Sequence, residues 1–219
     1  MTTDHGLLAR DYFDKPLRGF VGDLAARTPT PGGGSASALI GALGAALGNM
    51  AAAFTTGNEK FKAVEPEAAR LDARLAALRE RFAELLGQDI AAYDAYAAAR
   101  AMPKNTAAEK QARGTALGAA KERATAVPEQ IVAAACEGLQ LVEELSGIAN
   151  PSLAADLAAA AYFLEACVRG AGIQVLCNCA SADKEGRNAR RRTAVVERIQ
   201  QCQVSRERIH AAVTRLLGI

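Results

Sequence analysis

Apolar positions along this chain recur at three- and four-residue spacing, and no stretch alternates apolar with polar long enough to make a useful strand. Residues 16–27 space Leu17, Phe20, Val21 and Leu24 along one face of a short amphipathic helix. Residues 35–56 follow a loop rich in proline and glycine and predict a helix built mainly from alanine and glycine. From Pro66, a favoured first helical position, a long helix runs to Ala101 with Leu71, Leu75, Leu78, Phe82, Leu85 and Leu86 as its apolar stripe. Pro103 breaks it, and Thr106 with Glu109 forms a capping box that starts the next helix. That helix extends to about Ser146, with a kink or break expected at Pro128. Asn150-Pro151 reads as an N-cap and first-turn proline for a helix reaching towards Ala182, loosened at Gly170 and Gly172. A last helix follows Gly186, with Val195, Ile199, Cys202, Ile209 and Leu216 as its stripe. The pattern predicts an all-α bundle of about five or six long, partly kinked helices, with residues 1–219 forming a single domain.

The stretch 28–58, TPTPGGGSASALIGALGAALGNMAAAFTTGN, carries no charge from end to end. Pro29 and Pro31 stop any preceding helix, while Gly32, Gly33 and Gly34 open backbone angles closed to other residues and let a ligand approach the main chain. Ser35 reads as the N-cap of the helix that follows. A glycine loop feeding a helix start offers free amides and the positive end of a dipole, which suits anions and polar oxygens. The competing reading is a flexible connector. No lysine follows Gly34 as a Walker A loop requires, and no GxGxxG is present. The helix is long enough to cross a bilayer, and Gly41, Gly44 and Gly48 resemble a small-residue dimerisation face. Strongly apolar residues are too few for an ordinary span, so the buried centre of a bundle outside any membrane is expected.

The net charge of +2 over 219 residues points to no nucleic-acid partner. Five cysteines without a CxxC pair indicate neither a disulfide framework nor a zinc site; Cys177 and Cys179 read as small buried hydrophobes. The N-terminal residues lack a signal-peptide core, so a cytoplasmic protein is expected. With only His5 and His210, chemistry must run on carboxylates, lysine, amides and main chain. Asp89 lies one heptad beyond Phe82 on the apolar stripe, where a buried carboxylate is costly unless paired; a helix that turns or meets solvent there explains it equally well. Lys104 and Asn105 sit in a short loop between proline and cap. Asp156 falls just past the first turn of its helix, as an acid complementing the dipole or as a working group. Asn178 interrupts the apolar run 175–179 and needs a partner. Arg187, Arg190, Arg191 and Arg192 cluster at a helix start, either solvated or facing an anionic ligand tail.

The blocks TPTPGGGSASALIGALGAALGNM, MPKNTAAEKQAR, ATAVPEQ and ANPSLAADLAAAA, in this order, resemble the cyclodeaminase/cyclohydrolase family. That family contains the cyclodeaminase half of formiminotransferase-cyclodeaminase and the stand-alone methenyltetrahydrofolate cyclohydrolases of bacteria. The resemblance implies a helical fold, a homodimer, a folate site near the glycine loop and no cofactor beyond the folate substrate. Gly32, Gly33, Gly34 and Ser35 match the family loop, Lys104 and Asn105 the PKN turn, and Asp89 with Tyr93 a D-x-x-x-aromatic pattern. Asn150 and Asp156 match a GN-x-x-x-x-SD block, and Asn178 ends an NV-x-x-N motif. Ala149, Ala155 and Gln174 depart from the glycine, serine and asparagine usual at their positions.

The resemblance implies hydrolysis of 5,10-methenyltetrahydrofolate to formyltetrahydrofolate. Asp156 is then the leading base or cation stabiliser, Asp89 the second carboxylate, and Lys104 a group that binds substrate or steers protons. The glycine loop, Ser35, Asn105, Asn150 and Asn178 would bind substrate. Because the chain opens almost directly on the helix before the loop, no upstream formiminotransferase domain is expected, which favours hydrolysis over cyclodeamination of formiminotetrahydrofolate. A non-catalytic folate-binding helical protein is the alternative from another class.

Overall fold

The computed structural model describes residues 11–14, 16–180 and 186–217; His5 and the remaining end residues lie outside them. A four-residue turn of helix, α1 (Asp11–Asp14), precedes α2 (Leu17–Ala25), α3 (Gly33–Ala53), α4 (Glu65–Ala101), α5 (Ala107–Ser146), α6 (Ala154–Asn178) and α7 (Arg187–Leu217). Short 3-10 turns at Glu59–Val64 and Pro151–Leu153 lead into α4 and α6. Among the described residues there is no strand, and the six longer helices form the expected all-α bundle.

The uncharged helix α3 is the centre, packed against α4, α5 and α6. Its glycines let large neighbours close in. A Cβ on Gly41 would meet the Phe82 ring at 2.6 Å, one on Gly44 would meet Leu164 Cγ at 2.8 Å, and one on Gly48 would meet Leu75 Cδ1 at 2.9 Å. The α4 stripe from Leu71 to Leu86 is buried as its spacing predicts, and Ile131, Leu139, Leu141 and Leu145 of α5 fill the same core. Alanine and glycine on one helix against leucine and phenylalanine on the next give close axes without voids, the packing that interiors require. Two segments, Gly33–Ala53 and Pro151–Asn178, are long and apolar enough to cross a membrane, and half of each lies buried inside the fold.

Helix ends follow local chemistry. Thr106 Oγ1 accepts from the Glu109 N–H (3.2 Å), while Glu109 Oε2 accepts from the Thr106 and Asn105 N–H groups (2.9 and 2.7 Å), the capping box read from sequence. Asn150 Oδ1 accepts from the Ser152 N–H (3.1 Å), and the Asn150 N–H donates to Thr55 Oγ1 (3.0 Å), tying the start of α6 to the end of α3. Exposed ion pairs Arg70–Glu144 and Arg74–Glu137 bridge antiparallel α4 and α5. Each is worth at most about 1 kcal/mol.

Of the kink or break expected at Pro128, the break is absent: helix α5 runs on through it. Other expectations are corrected. Helix α6 stops at Asn178, four residues early, and Gly170 and Gly172 are contact points against Ser37 and Ile199 rather than weak places. On α2 only Phe20 is buried; Leu17, Val21 and Leu24 are exposed among the described residues. On α7 Val213 takes the buried place expected for Leu216, which is exposed. Cys177 is exposed near the end of α6, whereas Cys179 is buried.

Close approach at α3 gives a direct stability test. Gly44→Val drives a branched side chain into Leu164 and the Ala160 carbonyl, which a Cβ alone would already meet at 2.8 and 3.1 Å. The expected loss is about 1–3 kcal/mol. Thermal melting should show it, while Gly19→Ala, made where no atom lies within 4 Å, should hold or gain stability.

Candidate active site

A cavity of about 750 Å³ opens where the N-terminus of α3, the middle of α4 and α5, the end of α6 and the start of α7 converge. Gly32, Gly33 and Gly34 form one wall, and Asp89 and Asn178 face it from α4 and α6. Helix α3 begins at Gly33, with Gly32 as its N-cap residue in extended conformation. Ser35 is therefore not the N-cap. It sits in the first turn, buried, and its Oγ donates to Asp89 Oδ2 at 2.7 Å. The Ser35 backbone N–H donates to the same carboxylate. An acid from a helix 54 residues further along the chain thus does the capping that a local side chain was expected to do.

This geometry explains the glycines. None of Gly32, Gly33 or Gly34 has a positive φ, so conformational freedom is not their role. A Cβ on Gly34 would collide with the Asp89 carboxylate, and one on Gly33 would reach Gln174 Nε2 at 2.8 Å. The loop is bare so that a carboxylate and an amide can lie against main chain.

Asp89 is half-buried, and burial pushes its carboxyl above the ordinary aspartate value although both Ser35 hydrogen bonds favour the charged form. A raised folded-state value has a definite sign in linkage. Its stabilising contribution is complete below the unfolded aspartate range and is lost as pH rises through the folded value.

Asn178 has found the partner its position demands. Pro128 has no N–H, so the Ala124 carbonyl four residues earlier loses its helical donor; Asn178 Nδ2 donates to that oxygen at 2.8 Å. One amide thus repairs α5 at its proline, joins α6 to it and keeps its own carbonyl oxygen for other partners.

Four residues singled out from sequence lie elsewhere in the chain. Asp156 stands in the first turn of α6, and eighteen residues of that helix, about 27 Å, separate it from Gln174 at the cavity. Asn150 is spent on the turn before α6 and on the end of α3. Lys104 and Asn105 are exposed at the tip of the α4–α5 hairpin, beyond the cavity. Long helices separate residues that a motif order places in one set.

Tyr96 of α4 and Lys121 and Glu122 of α5 border the cavity and were not among the residues singled out from sequence; Gln174 and, from the basic cluster at the start of α7, Arg187 and Arg191 border it too. Arg191 and Arg187 both pair with Glu122, and Arg191 Nε also lies 3.2 Å from Glu129 Oε1. The spacing Asp89, Tyr93, Tyr96 is a helical face, and so is Lys121, Thr125, Pro128. Extending each face by a turn was the signal available. Among the described residues no group of three or more His, Cys, Asp or Glu converges as a metal site would require.

The fold and the cavity define a helical bundle with an acid-capped helix terminus facing an open, polar site. The profile of the formiminotransferase-cyclodeaminase family matches residues 16–197, and the chain belongs to that family. It is 36% identical over 169 residues to a formimidoyltransferase-cyclodeaminase of Mus musculus, covering 77% of this chain. It spans only 31% of that relative's length. It is 32% identical over 170 residues to a methenyltetrahydrofolate cyclohydrolase of Methylorubrum extorquens, covering 78% of this chain and 82% of the relative. The fold is similar to a crystal structure of formiminotetrahydrofolate cyclodeaminase from Thermotoga maritima, with a TM-score of 0.75, 26% identity, and coverage of 93% and 96% of the two chains.

Ser35→Ala removes a hydrogen bond that favours the charged carboxylate, so the Asp89 pKa should rise further still. A carboxyl NMR titration reads this directly. A fall, or no change, would mean that Ser35 does not hold the charged form.

Proposed function

We propose that this chain hydrolyses 5,10-methenyltetrahydrofolate to 10-formyltetrahydrofolate, with Asp89 as the working carboxylate in place of Asp156. The observation that carries the reading is the half-buried Asp89, held by Ser35 at the N-terminus of α3 and open to a cavity of about 750 Å³. The family and the 82% coverage of the cyclohydrolase relative support the reaction class.

The substrate carries a cationic amidinium whose methine carbon is already electrophilic. In the proposed reaction a water oxygen bonds to that carbon while Asp89 takes the water proton. The tetrahedral adduct then breaks its bond to N5, which accepts a proton from Asp89, and the new hydroxyl loses its proton as the formyl group forms on N10. The sum is substrate cation plus water giving formyl product plus one proton. A carboxyl raised by burial suits both halves, since it holds the proton taken from water more firmly than an ordinary aspartate before returning it. The anionic form also balances the amidinium charge during binding. Tyr93 and Tyr96 offer ring faces to a flat heterocycle, and the Asn178 carbonyl oxygen offers an acceptor to its amino groups. The reaction as written uses no cofactor, and the reading puts it in the cytoplasm.

Cyclodeamination of formiminotetrahydrofolate is the second reading, favoured by the likeness to the Thermotoga maritima protein over 93% of this chain. There N5 holds the formimino carbon, N10 attacks it, and the same carboxyl delivers the proton that lets ammonia leave. Following methenyltetrahydrofolate decay and ammonia release on one preparation, with uncatalysed rates subtracted, decides between the two; faster ammonia release overturns the first.

We also propose a homodimer closed through α3. Ile40, Leu43, Leu47, Met50 and Phe54 follow the three-four spacing of a coiled-coil seam, and none is fully buried in the single chain; Leu43 is 47% and Phe54 59% exposed. The helix has no charge, so a second copy of itself is a matched partner, and a two-fold axis makes the seam self-complementary.

Two variant sets test these readings. Asp89→Asn should lower kcat/KM about 10²–10⁴-fold with the helical signal retained, while Asp156→Asn stays within a few-fold. A comparable loss in Asp156→Asn with full activity in Asp89→Asn would overturn the assignment. Separately, Leu43→Glu sets a charge on the seam and should turn a dimer into a monomer in sedimentation; a parent that is itself monomeric refutes the seam.

A further inference from the structure

We infer that Cys136 of α5 and Cys202 of α7 form a reversible oxidation site, at which hydrogen peroxide closes a disulfide that staples α7 to the bundle. Its chemistry is independent of the folate reaction. Cys202 Sγ lies 2.7 Å from Cys136 Sγ, and both are free thiols. A disulfide bond is about 2.05 Å long, so the two sulfurs have less than about 1 Å left to close.

The pair stands where a crosslink has most to hold. Helix α7 packs chiefly against α6 and α5. Its buried apolar residues, among those described, are Val195, Cys202, Ile209 and Val213. These anchors serve a helix of 31 residues, and Cys202 stands at its centre, fifteen residues from either end. A bond there turns one contact of a sparse stripe into a link to α5. It also joins positions 66 residues apart, which removes freedom from the unfolded chain.

The two thiols differ as such chemistry requires. Cys136 is partly exposed, whereas Cys202 is 4% exposed. The S–H that Cys202 donates, with the Arg198 guanidinium nearby, holds the Cys136 thiol below the ordinary cysteine value against the effect of burial. The same hydrogen bond and burial push Cys202 up. Cys136 is therefore the thiolate that an oxidant meets, and Cys202 the resolving thiol behind it. The Cys136 sulfur attacks one peroxide oxygen; an S–O bond forms, the O–O bond breaks, and the released hydroxide takes the proton Cys136 gave up. The Cys202 sulfur then bonds to the Cys136 sulfur, the S–O bond breaks, and a second water leaves with the Cys202 proton. Two thiols are oxidised to one disulfide, and one peroxide is reduced to two waters. A dithiol reductant reverses the bond by exchange.

The test treats the full chain with a few-fold excess of hydrogen peroxide, blocks the remaining thiols with N-ethylmaleimide and maps its peptides by mass spectrometry. A Cys136–Cys202 linked pair that dithiothreitol separates is expected. The linked chain should melt about 5–10 °C above the reduced one. In Cys202→Ala the resolving thiol is gone, so Cys136 should run on to the sulfinic acid and the rise in melting temperature should vanish. Should that variant not fold, Cys136→Ala, made at the less buried position, should show neither linkage nor rise. Recovery of both thiols as maleimide adducts after peroxide, linkage of either to another cysteine, or a linked chain that melts no higher than the reduced one overturns the site.

Discussion

Everything in this fold depends on how closely other helices come to α3. Where the chain has glycine, a larger residue from elsewhere fills the space: Phe82 at Gly41, Leu164 at Gly44, Leu75 at Gly48. At the N-terminal end the same rule gives a different outcome, because the group that closes in on Gly34 is the carboxylate of Asp89. Core packing and site construction are therefore one mechanism. Helices brought to small-residue distance leave room for apolar side chains over most of their length and for a single acid at the end that carries free amides. An acid lying against that end meets the positive dipole terminus and is partly compensated there.

Whether such an acid is more than a cap can be argued from a second cap in the same molecule. Glu109 accepts main-chain N–H groups from Thr106 and Asn105 at the start of α5, and those bonds pull its carboxyl below the ordinary glutamate range. Asp89 also accepts a main-chain N–H and a hydroxyl from a first helical turn, yet its carboxyl is pushed up. The difference is burial. A surface cap stays charged and does nothing else, whereas desolvation around Asp89 outweighs the bonds that hold it ionised. Such a carboxyl exchanges a proton at little cost, which is the property acid–base chemistry needs.

Helix boundaries were legible because their signals are local: Pro66 and Pro103, the Thr106 capping box and the Asn150 turn act within four residues. Asp89 was legible as a carboxylate on an apolar stripe, and Asn178 as an amide short of a partner. Their partners were not, since Ser35 and Ala124 each lie 54 residues away and no periodicity reports that distance. Asp156 and Lys104 show the reverse: the single chain sets them away from this cavity. A motif resemblance gathers residues into one set, but α4 and α5 carry Lys104 out to a hairpin tip and α6 carries Asp156 to the far end of the bundle. The unbroken course of α5 through Pro128 also depended on a distant group, the amide that takes up the carbonyl the proline strands.

The site also has a polarity. Asn178 joins the end of α6 to the middle of α5, and α7, which begins with arginines, borders the same cavity. The cavity has an acid at the α3 end, against main-chain amides, and guanidinium groups at the α7 end, against Glu122. A ligand with a cationic ring and an anionic tail fits this field in one direction. Reversing it would set like charges together at both ends, and at a separation of 4 Å each such contact costs about 4 kcal/mol at the effective dielectric of a protein surface. Orientation thus follows from the two helix starts that frame the cavity, before any close contact with the ligand is made.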